Sequence, residues 1–207
     1  MNKLINELYP VEKKDFEKTG HVFGRAFKDD PAFCNIFKNI EDYRRDAFFE
    51  GPARYCNTYG KVYATSPEIE GLAAWVSSDY ADMTFIRIVR SGLVKSTRRI
   101  GMKTMFSMRP IFEPLEKARR RHMKGIKYIY LMTLGVDPEF QGKGFGSKLI
   151  TALIEDSTNE VLPVYLETAN EKNVGMYKKF GFRVLEKVDL PVINISQWCM
   201  IRAYIES

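Results

Sequence analysis

The sequence predicts a mixed α/β fold, a sheet with helices on both of its faces. Strand-like and helix-like patterns alternate along the chain, a glycine-rich turn joins a buried strand to an amphipathic helix, and a further strand–helix–strand run follows it. At 207 residues with 45% hydrophobic content, a single domain spanning 1–207 can bury a sizeable core. No internal repeat, low-complexity segment or Pro/Ser-rich linker divides it.

In chain order, Pro10 to Ala26 reads as a first strand and a helix, because Asp15, Phe16, Val22, Phe23, Ala26 and Phe27 recur at roughly helical spacing. Asp29-Asp30-Pro31 ends it. A second helical region, about Ala32 to Tyr59, carries Phe33, Ile36, Phe37, Tyr43, Phe48, Phe49 and Tyr55. Lys61–Thr65 and Gly71–Val76 suit two strands around a turn at Pro67-Glu-Ile-Glu70. Residues 83–124 read as largely helical, with interruptions near Gly92, Gly101 and Pro110. The remaining order is strand 127–136, helix 144–157, strand 163–168, short helix 171–180, strand 182–188 and strand 197–204.

The middle turn carries the chemistry. Tyr128 to Val136 is mostly apolar, aromatic and β-branched and ends at Asp137-Pro138, while Phe145, Leu149, Ile150, Leu153 and Ile154 mark one face of a helix. Between them lies Gln141-Gly142-Lys143-Gly144-Phe145-Gly146. Glycines let backbone N–H groups approach an anion, and a helix N-terminus adds unpaired donors and a positive dipole end. Lys143 and Lys148 place cations nearby, so the turn reads as a phosphate cradle. It does not fit Gly-x-x-x-x-Gly-Lys-[Ser/Thr], the nucleotide triphosphatase loop. Nor does it leave the two-residue gap before the third glycine that a dinucleotide fingerprint has.

Spaced from its glutamine, the turn reads Q-x-x-G-x-G directly after Val-Asp-Pro, which resembles the acyl-CoA loop of the GNAT superfamily of N-acetyltransferases. Downstream, Pro163-Val-Tyr-Leu-Glu-Thr168, then Asn170, Asn173, Tyr177 and Gly181-Phe182, resemble the superfamily's second signature. Pro191, Trp198-Cys-Met-Ile-Arg202, Ala26-Phe-Lys-Asp-Asp-Pro31 and Gly71-Leu-Ala-Ala-Trp75 look like the branch that contains puromycin N-acetyltransferase. The resemblance is densest from Tyr128 to Arg202 and says little about residues 77–127.

The resemblance implies a GNAT fold, a mixed and mostly antiparallel sheet with one splayed parallel pair. It implies acetyl-CoA as cosubstrate and no metal. Backbone groups of Leu134, Gly135 and Val136 would hold the pantetheine arm and polarise the thioester carbonyl. The N–H groups of Gly142, Lys143, Gly144, Phe145 and Gly146, following Gln141, would hold the pyrophosphate. Asn173 would contact the cosubstrate's arm, with Asn170 competing for that job or for the helix cap. Tyr177 would be the general acid, since a phenol near ~10 stays protonated where a thiolate near ~8.5 accepts. Without the motif, Tyr177 reads as a core aromatic beside Val174 and Phe180.

Strand alternation places Glu167 with Tyr165 on the face opposite Val164 and Leu166, provided no bulge intervenes. There it could take the amine's proton, hold the acceptor's ammonium or anchor the strand. The acceptor expected is a small-molecule amine, and the aromatic-rich segments 32–59 and 75–90 suit both an apolar pocket and plain core. Two alternatives stay open: a protein or peptide acetyltransferase, and a non-catalytic acyl-CoA-binding module, which the presence of Tyr177 disfavours.

Composition bounds the partners. A net charge of +6 is moderate, and its main cluster, Lys117 to Lys124, reads as a solvated helix end, as a contributor to the CoA phosphates, or as a nucleic-acid patch. No recognisable reader motif supports the last, so no nucleic-acid partner is expected. No apolar run reaches membrane-spanning length, and residues 1–14 lack the apolar core of a signal peptide. Cys34, Cys56 and Cys199 are odd in number and far apart, and with only His21 and His122 a zinc site is short of ligands. A cytoplasmic monomer or homodimer without bound metal is the expectation.

Overall fold

The computed structural model describes residues 3–38 and 40–204. Its strands are β1 (Tyr9–Pro10), β2 (Gly60–Ala64), β3 (Gly71–Ser77), β4 (Ile129–Val136), β5 (Val164–Thr168), β6 (Arg183–Leu190) and β7 (Ile195–Arg202). Its helices are α1 (Phe16–Ala26), α2 (Pro31–Ile36), α3 (Asp42–Tyr59), α4 (Phe85–Arg90), α5 (Leu93–Ile100), α6 (Met102–His122), α7 (Phe145–Asn159) and α8 (Glu171–Lys179). The strands form one sheet in the order β1-β2-β3-β4-β5-β7-β6. Every neighbouring pair is antiparallel except β4 and β5, which run parallel.

Burial on both faces follows from alternation along the central strands. Leu72, Ala74 and Val76 of β3 join Phe23 of α1 and Phe49 of α3 on one face. Ala73 and Trp75 point the other way, onto Leu149, Ile150 and Leu153 of α7. Farther along, α6 packs Ile111, Leu115 and Ala118 on Tyr165, Cys199 and Ile201, on the side that carries α1 to α3. Ile36, Phe112 and Tyr130 bridge these two apolar groups, so α2, α6 and β4 converge there.

A bulge in β4 sets up everything downstream. Ala74 pairs with Thr133 and Trp75 with Leu131, leaving Met132 as the extra residue. It reverses the alternation: Ile129 and Leu131 face α7 before it, and Leu134 does so after it. β4 then pairs with β5 only at Ile129–Val164 and Tyr130–Tyr165. Beyond Tyr130 the two strands diverge, as expected of a splayed parallel pair. The β5–β7 register runs unbroken from Val164 to Thr168, so no bulge disturbs the face assigned to Glu167.

The structure corrects the sequence reading at two helical places. Pro110 does not interrupt its helix; α6 runs from Met102 to His122 through Pro110 and Pro114. Pro110 lies on the exposed side, where water can take the carbonyl freed at Phe106, while Met108, Ile111, Leu115 and Ala118 bury the opposite side. The region 32–59 is two helices, α2 and α3, rather than one. Gly92 and Gly101 do break the chain as expected, both at positive φ and both next to helix starts.

One buried polar group ties α7 to the sheet. Asp156, 1% exposed, accepts from Lys61 Nζ of β2 at 2.7 and 2.8 Å and from Trp75 Nε1 of β3 at 2.9 Å. Asp156→Ala leaves a buried indole N–H without its acceptor and a half-buried ammonium without its closest carboxylate. It is expected to cost about 2–3 kcal/mol, read as a lowered urea midpoint at unchanged m-value.

Candidate active site

The glycine turn is shaped by backbone geometry that side chains would resist. Gly142 sits at φ +77° and Gly144, the residue capping α7, at φ +85°; a Cβ on either would meet nothing within 4 Å. The space above the turn is open, and the glycines are there for conformation. Among the described residues, no backbone N–H from Gly142 to Ser147 has an intramolecular acceptor, whereas Lys148 N already bonds Gly144 O at 3.0 Å. A run of unpaired donors at the start of a fifteen-residue helix fits a pyrophosphate.

Neighbouring side chains fix the turn's approach. Asp137 caps a short turn of helix at Pro138–Phe140, accepting from Glu139 N at 3.0 Å. Arg25 of α1 clamps it from outside, 3.0 Å from Asp137 and 2.6 Å from Glu139. Gln141 folds its amide back to donate to Val136 O at 3.0 Å, so it braces the end of β4 instead of reaching outward. Lys143 lies over the Phe140 ring at 4.9 Å.

Leu134, Gly135 and Val136 lie past the splay, paired with β3 on one edge only. Gly135 also answers a packing demand: a Cβ there would come within 2.9 Å of the Phe23 ring and 3.1 Å of Ala26 Cβ, so α1 lies directly against the backbone of β4. On α8, Asn170 takes the cap, accepting from Lys172 N at 3.0 Å. Among the described residues the Asn173 side chain makes no hydrogen bond, and its backbone N–H donates to Asn170 O at 3.0 Å. Gly181 ends α8 at φ +83°, with Arg202 Nε donating to Phe180 O at 3.1 Å.

Tyr177 is 6% exposed and packs edge-on against Phe182 at 5.4 Å, in the apolar group that holds Leu134, Leu149, Leu166 and Val174. Both readings of this residue share one place: it is a core aromatic, and it lies on the same sheet face as the glycine turn's helix. Burial pushes its phenol above the ordinary value, so it stays protonated through the neutral range.

Across the sheet lies a second group of polar residues. Tyr130 donates to Glu167 Oε2 at 2.6 Å, while Glu167 Oε1 and the Tyr165 hydroxyl are buried without a hydrogen-bond partner. Burial raises the Glu167 carboxyl, against the Tyr130 hydrogen bond, the Arg119 charge and the neighbouring Tyr165 hydroxyl, which all favour its ionised form. Tyr130 is pushed well above the phenol range by burial first and the adjacent carboxylate second. Cys199, behind them on β7, is pushed up to about 12 by burial. An unpaired buried carboxylate oxygen is costly unless something meets it, which makes this the most informative polar atom on that face.

Tyr130 and Arg119 escaped the sequence reading, which placed Tyr165 beside Glu167 but gave it no role. The two tyrosines look like ordinary strand aromatics, and Arg119 sits inside a basic run. In the fold that run is heterogeneous: Lys117 pairs with Glu113, Arg120 with Asp82, and Arg121 and His122 with Glu186, leaving Arg119 alone turned inward at 4% exposure. Because α6 packs on the face opposite α7, the run is remote from the glycine turn and does not serve it. Beside the polar group around Glu167, α2 and the β6–β7 turn meet, where Asn35 Nδ2 donates to Ile193 O at 3.2 Å and Ile36 and Ile193 pack against the apolar residues around Tyr165. Among the described residues, no cluster of His, Cys, Asp and Glu could hold a metal ion, and no helix is long and apolar enough to cross a membrane.

Comparison with known proteins bears on this arrangement. The acetyltransferase (GNAT) family model matches residues 58–182, which include β3, β4, the glycine turn and α8. An uncharacterized N-acetyltransferase of Schizosaccharomyces pombe is 27% identical over 181 residues, covering 83% of this chain and 72% of its own length. A structure of histone acetyltransferase HPA2 and related acetyltransferase from Corynebacterium glutamicum superposes with a TM-score of 0.66 at 20% identity, covering 97% of both chains. Arylalkylamine N-acetyltransferase 2 from Aedes aegypti superposes with a TM-score of 0.65 at 14% identity, over 96% of this chain and 98% of that one. The structural likenesses speak for the fold, and the family model covers the residues that build the splay and its cradle. The chain belongs to the GNAT family of acetyltransferases.

Proposed function

We propose that this protein is an acetyl-CoA-dependent N-acetyltransferase that acylates a primary amine of a small molecule by direct attack. The observation carrying this reading is the opening between β4 and β5, with unpaired backbone donors on one sheet face and an unpaired carboxylate oxygen on the other. Acetyl-CoA supplies the activated acetyl group as a thioester. The N–H groups of Gly142 to Gly146 hold its pyrophosphate, the free edge of Leu134 to Val136 holds its arm and polarises its carbonyl, and Asn173 adds a side-chain contact. From the other face, Glu167 Oε1 receives the proton that the ammonium must lose before its nitrogen can attack, directly or through one water. Tyr177 gives its hydroxyl proton to the departing sulfur. Base and acid thus approach the gap from opposite faces.

A small acceptor is favoured because α2 and the β6–β7 turn meet beside Glu167, where the partly buried Ile36, Phe112 and Tyr130 would give an amine apolar surroundings. A peptide acceptor is the second reading, since the donor side would serve it equally. The likeness to the puromycin N-acetyltransferase branch lies mainly on the donor side and at the C-terminal strand, so it does not single out an acceptor. A reducing cytoplasm belongs to the same proposal, supported by three unpaired cysteines. Acetyl-CoA consumption assayed across a panel of alkyl and arylalkyl amines, with peptide N-termini alongside, tests the whole reading; turnover confined to peptides would overturn the acceptor class.

Three variants separate the roles. Gly144→Val forces a β-branched residue to φ +85°, so CoA affinity measured by calorimetry should fall by at least tenfold, while wild-type protein that fails to bind CoA at millimolar concentration would sink the assignment. Tyr177→Phe removes one hydroxyl and should lower kcat by roughly 10²–10⁴-fold with CoA binding retained. Near-normal turnover, with chemistry shown to be rate-limiting, would return Tyr177 to packing alone. Glu167 must be ionised to accept a proton, and burial raises its pKa, so kcat/KM should climb with pH through a limb above the ordinary carboxylate range. Glu167→Gln should depress kcat/KM across the pH range and remove the part of that limb that does not track the amine's own pKa. A rise in KM alone would mark ammonium binding instead.

A further inference from the structure

Arg119 is the one buried member of the basic run, and its surroundings give it work that a solvated helix end does not need. Its guanidinium lies over the ring of Tyr130 at 4.9 Å, donates to Asp82 Oδ1 at 2.9 Å and approaches the Tyr128 hydroxyl at 3.3 Å. Asp82 is itself about half exposed, so this pair compensates the burial of the guanidinium only in part. Asp82, Arg119 and Tyr128 also line a surface depression of about 360 Å³, and Arg119 separates it from Tyr130.

We propose that Arg119 is a positioning residue for acetyl transfer: stacked on Tyr130, it fixes the ring whose hydroxyl orients Glu167 and leaves Oε1 free for the acceptor's proton. This rests on the reading of Glu167 as proton acceptor. The groups facing that carboxylate are Tyr130 on β4, Tyr165 on its own strand, Cys199 on β7, and Arg119 and Glu116 on α6. Tyr130 and Tyr165 are held protonated by burial, and Glu116 opposes a second negative charge, so Arg119 supplies the positive charge that favours carboxylate over carboxylic acid. A lysine or an apolar residue would fill the space without the flat, charged face that the ring accepts.

The test reads the carboxylate itself. In protein labelled with [δ-¹³C]glutamate, the Glu167 signal is identified by its absence in Glu167→Gln and followed through a pH titration by NMR. Arg119→Met should raise its midpoint by about one pH unit, because an adjacent cation is lost. Turnover of the best amine in the panel should fall below that midpoint and recover above it. Should Arg119→Met not fold, Arg119→Gln, which keeps a donor toward Asp82, carries the same expectation. An unmoved midpoint in a folded variant overturns the proposal, and failure of both variants to fold makes Arg119 a structural anchor and overturns it too. If Glu167→Gln acetylates at the wild-type rate, the acceptor reading falls by itself, while the titration still decides what Arg119 does to the carboxylate.

Discussion

The parting of β4 from β5 after Tyr130 is the constraint on which the rest of the molecule depends. Central strands normally pair along both edges, and unpaired buried backbone groups each cost on the order of 1–3 kcal/mol. Here the free edge of β4 from Leu131 onward lies in the middle of a seven-stranded sheet. Such a gap persists only if the surrounding elements over-determine it. The bulge at Met132 turns β4, α1 presses on Gly135, and Gln141 holds the carbonyl of Val136. On the far side, the continuous pairing of β5 with β7 keeps the second wall straight.

The gap also divides the chemistry by face. On the α7–α8 side the buried Asp156 is paired with Lys61 and Trp75, and Tyr177 lies in the apolar group, kept neutral by burial. On the α6 side a carboxylate, two tyrosines, a cysteine and a guanidinium lie within one packed group. A phenol kept protonated by burial on one side and a half-satisfied carboxylate on the other are the two environments that the proposed mechanism uses as proton donor and proton acceptor. Their separation comes from alternation alone: Leu166 and Glu167 are neighbours in sequence and face opposite sides of the sheet.

How much of this was legible in the sequence follows from which signals are local. The glycine turn, its helix, the cap at Gly181 and the face of Glu167 are set by residues within a few positions of one another, and all appear as read. Pro110 misled because a proline's effect depends on whether water can reach the carbonyl it frees, which is a matter of tertiary exposure. Asn170 and Asn173 both suited a cap, and only geometry assigns it to Asn170. Tyr130 and Arg119 were illegible for a different reason. They lie eleven positions apart on two different elements, and a ring under a guanidinium has no spacing rule in one dimension.

The face around Glu167 is the least local part, and physics explains why. The glycine turn uses backbone groups, whose placement depends on glycines and helix starts and therefore leaves a motif. The face around Glu167 is assembled from side chains of α2, α6, β4, β5 and the β6–β7 turn, each tolerant of substitution as long as volume and polarity are kept. Among these, the groups least free to change are those whose partners are also buried. Glu167 with Tyr130, and Tyr130 with Arg119, form such a chain: losing Glu167 strips the Tyr130 hydroxyl of its acceptor, losing Tyr130 strips Glu167 of its donor, and losing Arg119 removes the cation over the ring. That chain, more than the apolar residues around it, is what fixes the position of the carboxylate.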